Sequence, residues 1–244
     1  MSAYDLFVGE VHRQMALVET TQRGAIENAA RWVSKALQGD RFFWAFGTGH
    51  SHMVAEEIFY RAGGLARGAP ILEDKLMLHD HAIEATYLER ESGYAARILA
   101  NYPLAEGDVL LVASNGGRNA VPIEMVLKVR ELGVRTVALT NLNQSRNWPS
   151  RHSSGKRLFE VADLVIDNCG LDGDAAIQIP SFDFRIGPPS SITGMLIINL
   201  IVVQAIEDAV QAGTKPEVFI SSNTKGDDHN DRLLEKYRSH IRHL

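Results

Sequence analysis

The 244-residue chain predicts an α/β fold organised around a parallel sheet, and three observations carry that prediction. Short, uninterrupted apolar runs alternate with stretches of helical periodicity, the pattern of strands buried on both faces and joined by crossover helices. Two of these runs empty into small, hydroxyl-rich loops. Phe42 Phe43 Trp44 Ala45 Phe46 leads into Gly47 Thr48 Gly49 His50 Ser51, and Val109 Leu110 Leu111 Val112 Ala113 leads into Ser114 Asn115 Gly116 Gly117 Arg118 Asn119. After each loop the pattern turns helical, so backbone N–H groups and a helix N-terminus face whatever sits above the strand ends. That arrangement suits an anion, above all a phosphate.

Taken in order, apolar side chains recur at helical spacing from Ala3 to Leu37, with Gly24 as the expected division into two helices and Gly39 Asp40 as the stop. Ser51 to Ala62 reads as a helix with Met53, Val54, Ile58 and Phe59 inward, ended by Gly63 and Gly64. Pro70 to Leu72 is a short strand, and Ala82 to Leu99 is helical with a break at Ser92 and Gly93. The second half alternates most cleanly: strand Val109–Ala113, helix Ala120–Leu132, Gly133, strand Val134–Thr140. A helix between short apolar strands implies parallel pairing through a right-handed crossover. Leu164–Asp167 and Ala176–Ile179 read as further strands. A helix from Ser190 to Ala212 is apolar nearly all round and is expected at the centre of the packing. The polar tail ends in a helix over Arg232–Ile241. Residues 1–40 are thus an N-terminal helical segment, 41–213 the domain proper, and 214–244 a C-terminal tail and helix.

Composition narrows the setting. A formal net charge of −5 without a basic stripe argues against nucleic acid as a partner. The single cysteine, Cys169, excludes an intrachain disulfide and a multi-cysteine zinc site, and accords with a reducing, cytoplasmic compartment. The first residues lack the basic and apolar regions of a signal peptide, and the longest apolar stretch, Met195–Val203, is shorter than the roughly 20 residues of a membrane span. No membrane is therefore expected as a partner.

The two strand-and-loop units, the strand ending at Asn141, and Ala162 Asp163 Leu164 Val165 Ile166 together resemble a sugar isomerase (SIS) domain over roughly Phe42 to Ala212. More narrowly, Gly49 His50 Ser51 His52 and Arg118 Asn119 Ala120 Val121 Pro122 Ile123 Glu124 Met125 are similar to a stand-alone bacterial SIS subfamily. The resemblance implies one α/β domain with a five-stranded parallel sheet between helical layers. It also implies a phosphosugar bound over the strand ends, no cofactor, and a homodimer with sites near the subunit interface. By the same resemblance Gly47, Gly49 and Ser51 of the first loop, and Ser114, Gly117 and Asn119 of the second, contact substrate; Thr48, His50, Asn115, Gly116 and Arg118 are candidates as members of the same loops, with a surface place in the first helical turn as the plainer role of Arg118. The second loop of the family usually reads Ser, any residue, Ser, Gly, any residue, Thr. Here Gly116 and Asn119 replace the second Ser and the Thr, which removes hydroxyl donors and leaves phosphate to backbone N–H groups, Ser114 and the Asn119 amide.

Several groups are candidates for chemistry. Glu56 and Glu57 lie on the helix that opens over the first loop, His52 precedes them, and His229 belongs to a polar run, Val218 to Asn230, with Asn223. The acidic segment Glu84 to Glu91 is a further source of a carboxylate, offered from a partner subunit; its plainer role is a solvated helix face. His50, His52, His79 and His81 lack the accompanying Cys or carboxylate pattern of a metal site, and none is expected. Plainer roles stand beside each candidate: N-capping for Ser51 and Ser114, and a surface cap for Asp228 or Asn230. Isomerisation and elimination of sugar phosphates both begin with removal of the carbon-2 proton of the open-chain aldose. A free carbon-2 hydroxyl then permits conversion to the ketose, while an acetylated amine there directs the enolate to expel the carbon-3 substituent. The sequence thus favours an isomerase or lyase acting on a hexose or amino-sugar 6-phosphate. A phosphosugar-sensing module that works through a partner is the other reading.

Overall fold

The computed structural model describes residues 1–224 and 226–244. Its centre is a parallel five-stranded sheet in the order β2-β1-β3-β4-β5, formed by β1 (Phe43–Gly47), β2 (Gly68–Ile71), β3 (Val109–Ala113), β4 (Arg135–Thr140) and β5 (Leu164–Asp167). β1 and β3 pair in register from Phe43 opposite Val109 to Gly47 opposite Ala113. Their two loops therefore leave the sheet side by side. The chain passes from β1 outward to β2 and returns across β1 to β3, so the strand order reverses at β1/β3. Such a reversal opens a crevice at the C-terminal strand ends, where ligands of open α/β sheets bind.

Alternate strand residues serve two cores. Trp44, Phe46, Leu110 and Val112 face the helices α4 (Leu78–Leu88), α5 (Tyr94–Leu99), α6 (Ala120–Glu131) and α8 (Leu158–Val161). Phe43, Ala45, Leu111, Val137 and Leu139 face α2 (Arg23–Gln38), α3 (His52–Glu57) and α9 (Ser190–Gln211). Both faces are thus buried, which is why the strands read as unbroken apolar runs. At the opposite end of the sheet the buried Asp108 carboxylate accepts hydrogen bonds from Phe42 N, Trp44 Nε1 and Ala105 N, at 2.9, 2.9 and 3.0 Å, and locks the start of β1 to that of β3.

The structure departs from the sequence expectations at several elements. Gly24 does not divide the N-terminal segment. α1 (Ala3–Leu17) instead passes through one wide turn at Val18–Gln22 into α2, where the Thr20 and Thr21 hydroxyls bond the carbonyls of Ala16 and Leu17 and loosen the helix ladder. α3 stops at Glu57 rather than Ala62: Tyr60 adopts φ 43°, and Gly63 and Gly64 pair with Phe219 of the tail. α4 begins at Leu78, ahead of the expected Ala82, with a kink at His81, and the break at Gly93 is present. Ile177–Gln178 does form a strand, β6, but it pairs antiparallel with β7 (Arg185–Ile186) in a hairpin outside the central sheet. α7 (Leu142–Asn147) follows β4. The last helix, α10, spans Asp227–Tyr237, several residues earlier than expected. Its N-cap is Gly226, so neither Asp228 nor Asn230 caps it. The Asn230 side chain instead holds both the N–H and the carbonyl of Ile220. α9 is long and apolar enough to cross a membrane, with mean hydropathy 1.6, and so exceeds what the Met195–Val203 stretch suggests; its inner face packs on α2 and the sheet.

Candidate functional site

The first loop is shaped by a close approach that only glycine permits. A Cβ on Gly47 would lie 2.2 Å from the carbonyl oxygen of Ser51 and 2.8 Å from His52 N. The chain thereby folds straight back over the end of β1 through a 3₁₀ turn, Gly49–Ser51, into α3. Ser51 makes no side-chain cap on α3, so the capping role open to it on sequence grounds is not the one it plays and its hydroxyl is available to a ligand.

In the second loop Gly117 has φ 57°, and a Cβ there would meet Thr140 Oγ1 and Ser145 Oγ at 2.9 Å. Gly117 N donates to Ser114 Oγ at 3.2 Å, which closes the loop. The Asn115 side chain is fixed at both ends, donating to Gln144 at 3.1 Å and accepting from Asn168 Nδ2 at 2.7 Å.

Between the two loops, on the side of α3 and α9, lies a small pocket lined by His50, Ser51, Ser114, Asn115, Asn168, Ser190 and Ser191, with Val54, Leu139 and Gly194 beneath. No carboxylate lines it. Ser190 and Ser191 belong to the first turn of the 22-residue α9, so a second helix N-terminus borders the pocket, with the Asp174 carboxylate accepting from Ser190 N at 3.2 Å and from its Oγ at 2.6 Å. Sequence reasoning missed these two serines and Asn168. They lie far along the chain from both loops, and the only local signal was a polar start to an apolar helix.

On the other side of the loops sits Glu89, just beyond α4. Thr48 Oγ1 of the first loop donates to Glu89 Oε2 at 2.6 Å, and Asn119 Nδ2 of the second loop donates to Oε1 at 2.6 Å. Val121 N, in the first turn of α6, donates to the Glu89 carbonyl at 3.1 Å, and Gly93 N donates to the buried Glu124 carboxylate at 2.9 and 2.8 Å, so residues 89–93 are docked on α6. Burial pushes the Glu89 carboxyl up from its ordinary value, against the opposing Thr48 hydrogen bond and the charges of Arg90 and Arg151. Hydrogen bonds to a charged group contribute about 1.5–3 kcal/mol each, which offsets part of the cost of holding a carboxylate there.

Residues 6–141 match the SIS domain. The chain belongs to the SIS-domain family. Similar along nearly its whole length is the UPF0309 protein TTE0306 of Caldanaerobacter subterraneus subsp. tengcongensis, 39% identical over 244 residues, covering 98% of this chain and 99% of that one. The UPF0309 protein lin2794 of Listeria innocua is 42% identical over 217 residues, 88% of each chain. Among solved structures, phosphoheptose isomerase GmhA from Neisseria gonorrhoeae superposes with a TM-score of 0.53 at 17% identity, covering 82% of this chain and 95% of that one. A phosphoheptose isomerase from Francisella tularensis gives 0.54 at 14%, covering 85% and 100%. At such identities the likeness is one of fold, and the SIS architecture expected from the sequence is the one present.

Within this SIS fold the candidate bases separate. Glu57 lies at the far end of α3 from the loop, where it accepts from Asn199 Nδ2 at 2.6 Å and from Arg61 at 2.7 Å. It joins α3 to α9 and does not face the pocket. Glu56 is half exposed and stands 3.4 Å from His52 Nε2. His52 Nδ1 is bonded to the Gly49 carbonyl, which can only accept, so Nδ1 carries the proton and Nε2 is the end that faces Glu56. The His52 and His79 rings pack 6.3 Å apart; His50 stands exposed at the pocket rim.

His229 lies away from both loops of its own chain. Its Nε2 donates to the Val218 carbonyl at 2.9 Å, and Val218 bridges to Leu65 ahead of β2, at the end of the sheet opposite the loops of its own chain. Asn223 lies in an exposed turn of the same tail, and Lys225 of that run is outside the described residues. The acidic segment, by contrast, sets Glu89 against both loops of its own chain. Arg118 lies with its guanidinium carbon 5.6 Å from the centre of the Trp148 ring. Among the described residues no group of three His, Cys, Asp or Glu side chains is assembled as metal ligands.

Proposed function

We propose that this protein is an enzyme acting on a hexose or amino-sugar 6-phosphate, and that Glu89 removes the carbon-2 proton of the open-chain sugar. The observation that carries the proposal is the Glu89 carboxylate held at 2.6 Å by both phosphate-type loops at once, with burial raising its proton affinity. A base works best when its pKa lies near the operating pH, and an upward shift moves a glutamate in that direction. The 6-phosphate occupies the serine-lined pocket, where Ser51, Ser114 and Ser191 replace the hydroxyls that Gly116 and Asn119 remove from the second loop, while the Ser190 hydroxyl is held by Asp174. The sugar chain then runs over the loops towards Glu89. Proton transfer from carbon 2 to the carboxylate leaves an enolate, whose oxygen is steadied by the polar groups at the strand ends. With a hydroxyl on carbon 2, return of the proton to carbon 1 gives the ketose. With an acetylated amine, the enolate expels the carbon-3 substituent. His52 and Glu56, at the start of α3, are the groups placed to manage the second proton. The functional unit is a cytoplasmic homodimer, and an apolar groove between α1 and α9 supports that assembly.

The test is exchange of the carbon-2 proton, followed by NMR during incubation with a panel of 6-phosphosugars in deuterated water. Glu89→Gln keeps both hydrogen bonds, because its amide can donate to Thr48 and its carbonyl can accept from Asn119. It is expected to cut turnover by about 10²–10⁴-fold with affinity little changed. Near-native exchange in this variant removes Glu89 from the mechanism, and failure of every panel sugar to bind the unaltered protein overturns the phosphosugar reading.

A further inference from the structure

The lip of the crevice that carries Glu89 also gathers three arginines, and Glu89 is the one carboxylate among the described residues that acts on Arg151 there. Arg90 follows Glu89, Arg118 leads into Asn119, and Arg151 reaches back to the same place. The Arg151 backbone N–H donates to the Arg118 carbonyl at 2.7 Å, and its Nη1 donates to Asn119 Oδ1 at 3.0 Å. Arg118 is braced by Trp148, and its Nε is buried without a partner. Arg90 is braced in the same manner, 5.6 Å from the centre of the Tyr87 ring. Among the described residues none of the three forms an ion pair with a carboxylate. Burial, then the neighbouring charges of Arg118 and Arg90, loosen the hold of Arg151 on its proton, and Glu89 alone acts against them.

Guanidinium groups gathered at one place repel one another, and stacking on aromatic rings keeps them oriented as forks for an oxyanion. The sugar 6-phosphate has its own place on the opposite side of the loops, so the same group does not also fill this one. We propose that the substrate carries a second anionic group, a carboxylate or a second phosphate, which Arg90, Arg118 and Arg151 hold beside Glu89. This inference rests on the phosphosugar reading above. Its position on the sugar follows from the chemistry. Carbon 1 must remain an aldehyde for the carbon-2 proton to be acidic, and carbon 6 bears the phosphate; of the hydroxyls on carbons 3, 4 and 5, the one on carbon 3 is next to the reacting centre and so nearest to arginines that stand beside Glu89.

Calorimetric titration with three ligands tests this: glucose 6-phosphate, 3-O-carboxymethylglucose 6-phosphate and glucose 3,6-bisphosphate. One of the two doubly anionic ligands is expected to bind the unaltered protein at least about tenfold tighter than glucose 6-phosphate, and which of them does so distinguishes carboxylate from phosphate. The double variant Arg90→Ala, Arg151→Ala, at exposed positions, is expected to abolish that gain while leaving the affinity for glucose 6-phosphate within about twofold. Equal affinity of the unaltered protein for all three ligands overturns the second-anion site alone. A gain that persists in the variant overturns it as well, and so does an equal loss of glucose 6-phosphate affinity, since the arginines would then belong to the phosphate cradle. No binding of any of the three overturns the phosphosugar reading and this inference together. Should the double variant fold poorly by circular dichroism, Arg151→Lys keeps the charge without the fork and is expected to lose most of the gain.

Discussion

Gly116 has room for a side chain, so a hydroxyl placed there tests whether the phosphate also reaches the second loop. A Cβ placed there meets Gln144 Nε2 at 3.6 Å and the Arg118 side chain at 3.7 Å, which is ordinary contact, whereas the adjacent Gly117 combines positive φ with approaches of 2.9 Å. Gly117 is thus demanded by the backbone and Gly116 is not. Gly116→Ser restores the hydroxyl missing from the second loop, and one added hydrogen bond of about 1 kcal/mol predicts roughly fivefold tighter binding of a 6-phosphosugar in a calorimetric titration. Unchanged or weaker affinity would mean that position 116 does not face the phosphate. Glu89 gives a second prediction at this scale. As a base it works ionised, so kcat/KM is expected to rise with pH on a limb whose midpoint lies above the ordinary glutamate value of 4.5. The linkage runs the opposite way for stability. With the folded pKa above the unfolded one, the native state binds the proton more tightly, and stability is lost as pH rises through the raised value. Glu89→Gln removes that loss, so its thermal midpoint at pH 8 is expected to equal or exceed that of the unaltered protein while its activity collapses; a lower midpoint with an intact acid limb counts against the assignment.

At the scale of elements, α3 shows what a sequence can and cannot disclose. The strands Phe43–Gly47, Val109–Ala113, Arg135–Thr140 and Leu164–Asp167 were legible because nearly every residue in them is apolar and faces one of two cores. The loops were legible too, since small residues between a buried strand and a helix have few other uses. The end of α3 was not, because long-range pairing of Gly63 and Gly64 with Phe219 decides it. Nor was the division of labour among the acids: Glu56, Glu57 and Glu89 are alike as letters on helical faces, and only packing separates a half-exposed group, a brace and a half-buried carboxylate held by both loops. Glu57 is the brace, bonded to Asn199 of α9 and to Arg61. Glu57→Ala is therefore expected to leave turnover near native and to cost about 1 kcal/mol, read as a fall in thermal midpoint of roughly 2–4 °C. A loss of turnover without a loss of stability would restore Glu57 to the list of bases.

For the whole molecule, the outer surface of α9 is what supports the proposed homodimer. Its inner face is buried on α2 and the sheet, yet Ile192, Val203 and Val210 are 42%, 58% and 55% exposed. Leu196, Leu200 and Val203 line an open groove with His12, Met15 and Ala16 of α1. The apolar part of this groove, edged by Glu19, Arg23, Glu27 and Gln204, suits an interaction site with a polar rim, and a stable interface needs about 800 Å² from each partner. A symmetric pairing of α9 with its counterpart covers both copies of the groove with one contact. It also places the N-terminal turn of α9, with Ser190 and Ser191, close to the interface that holds it in position. The prediction is a species of twice the 26.9 kDa chain mass by light scattering. Leu200→Glu is expected to shift it to the monomer and to lower phosphosugar affinity together with it. A monomeric unaltered protein refutes the dimer. A Leu200→Glu monomer with unchanged affinity would show that each chain completes its own phosphate pocket, and would leave α9 its packing role alone.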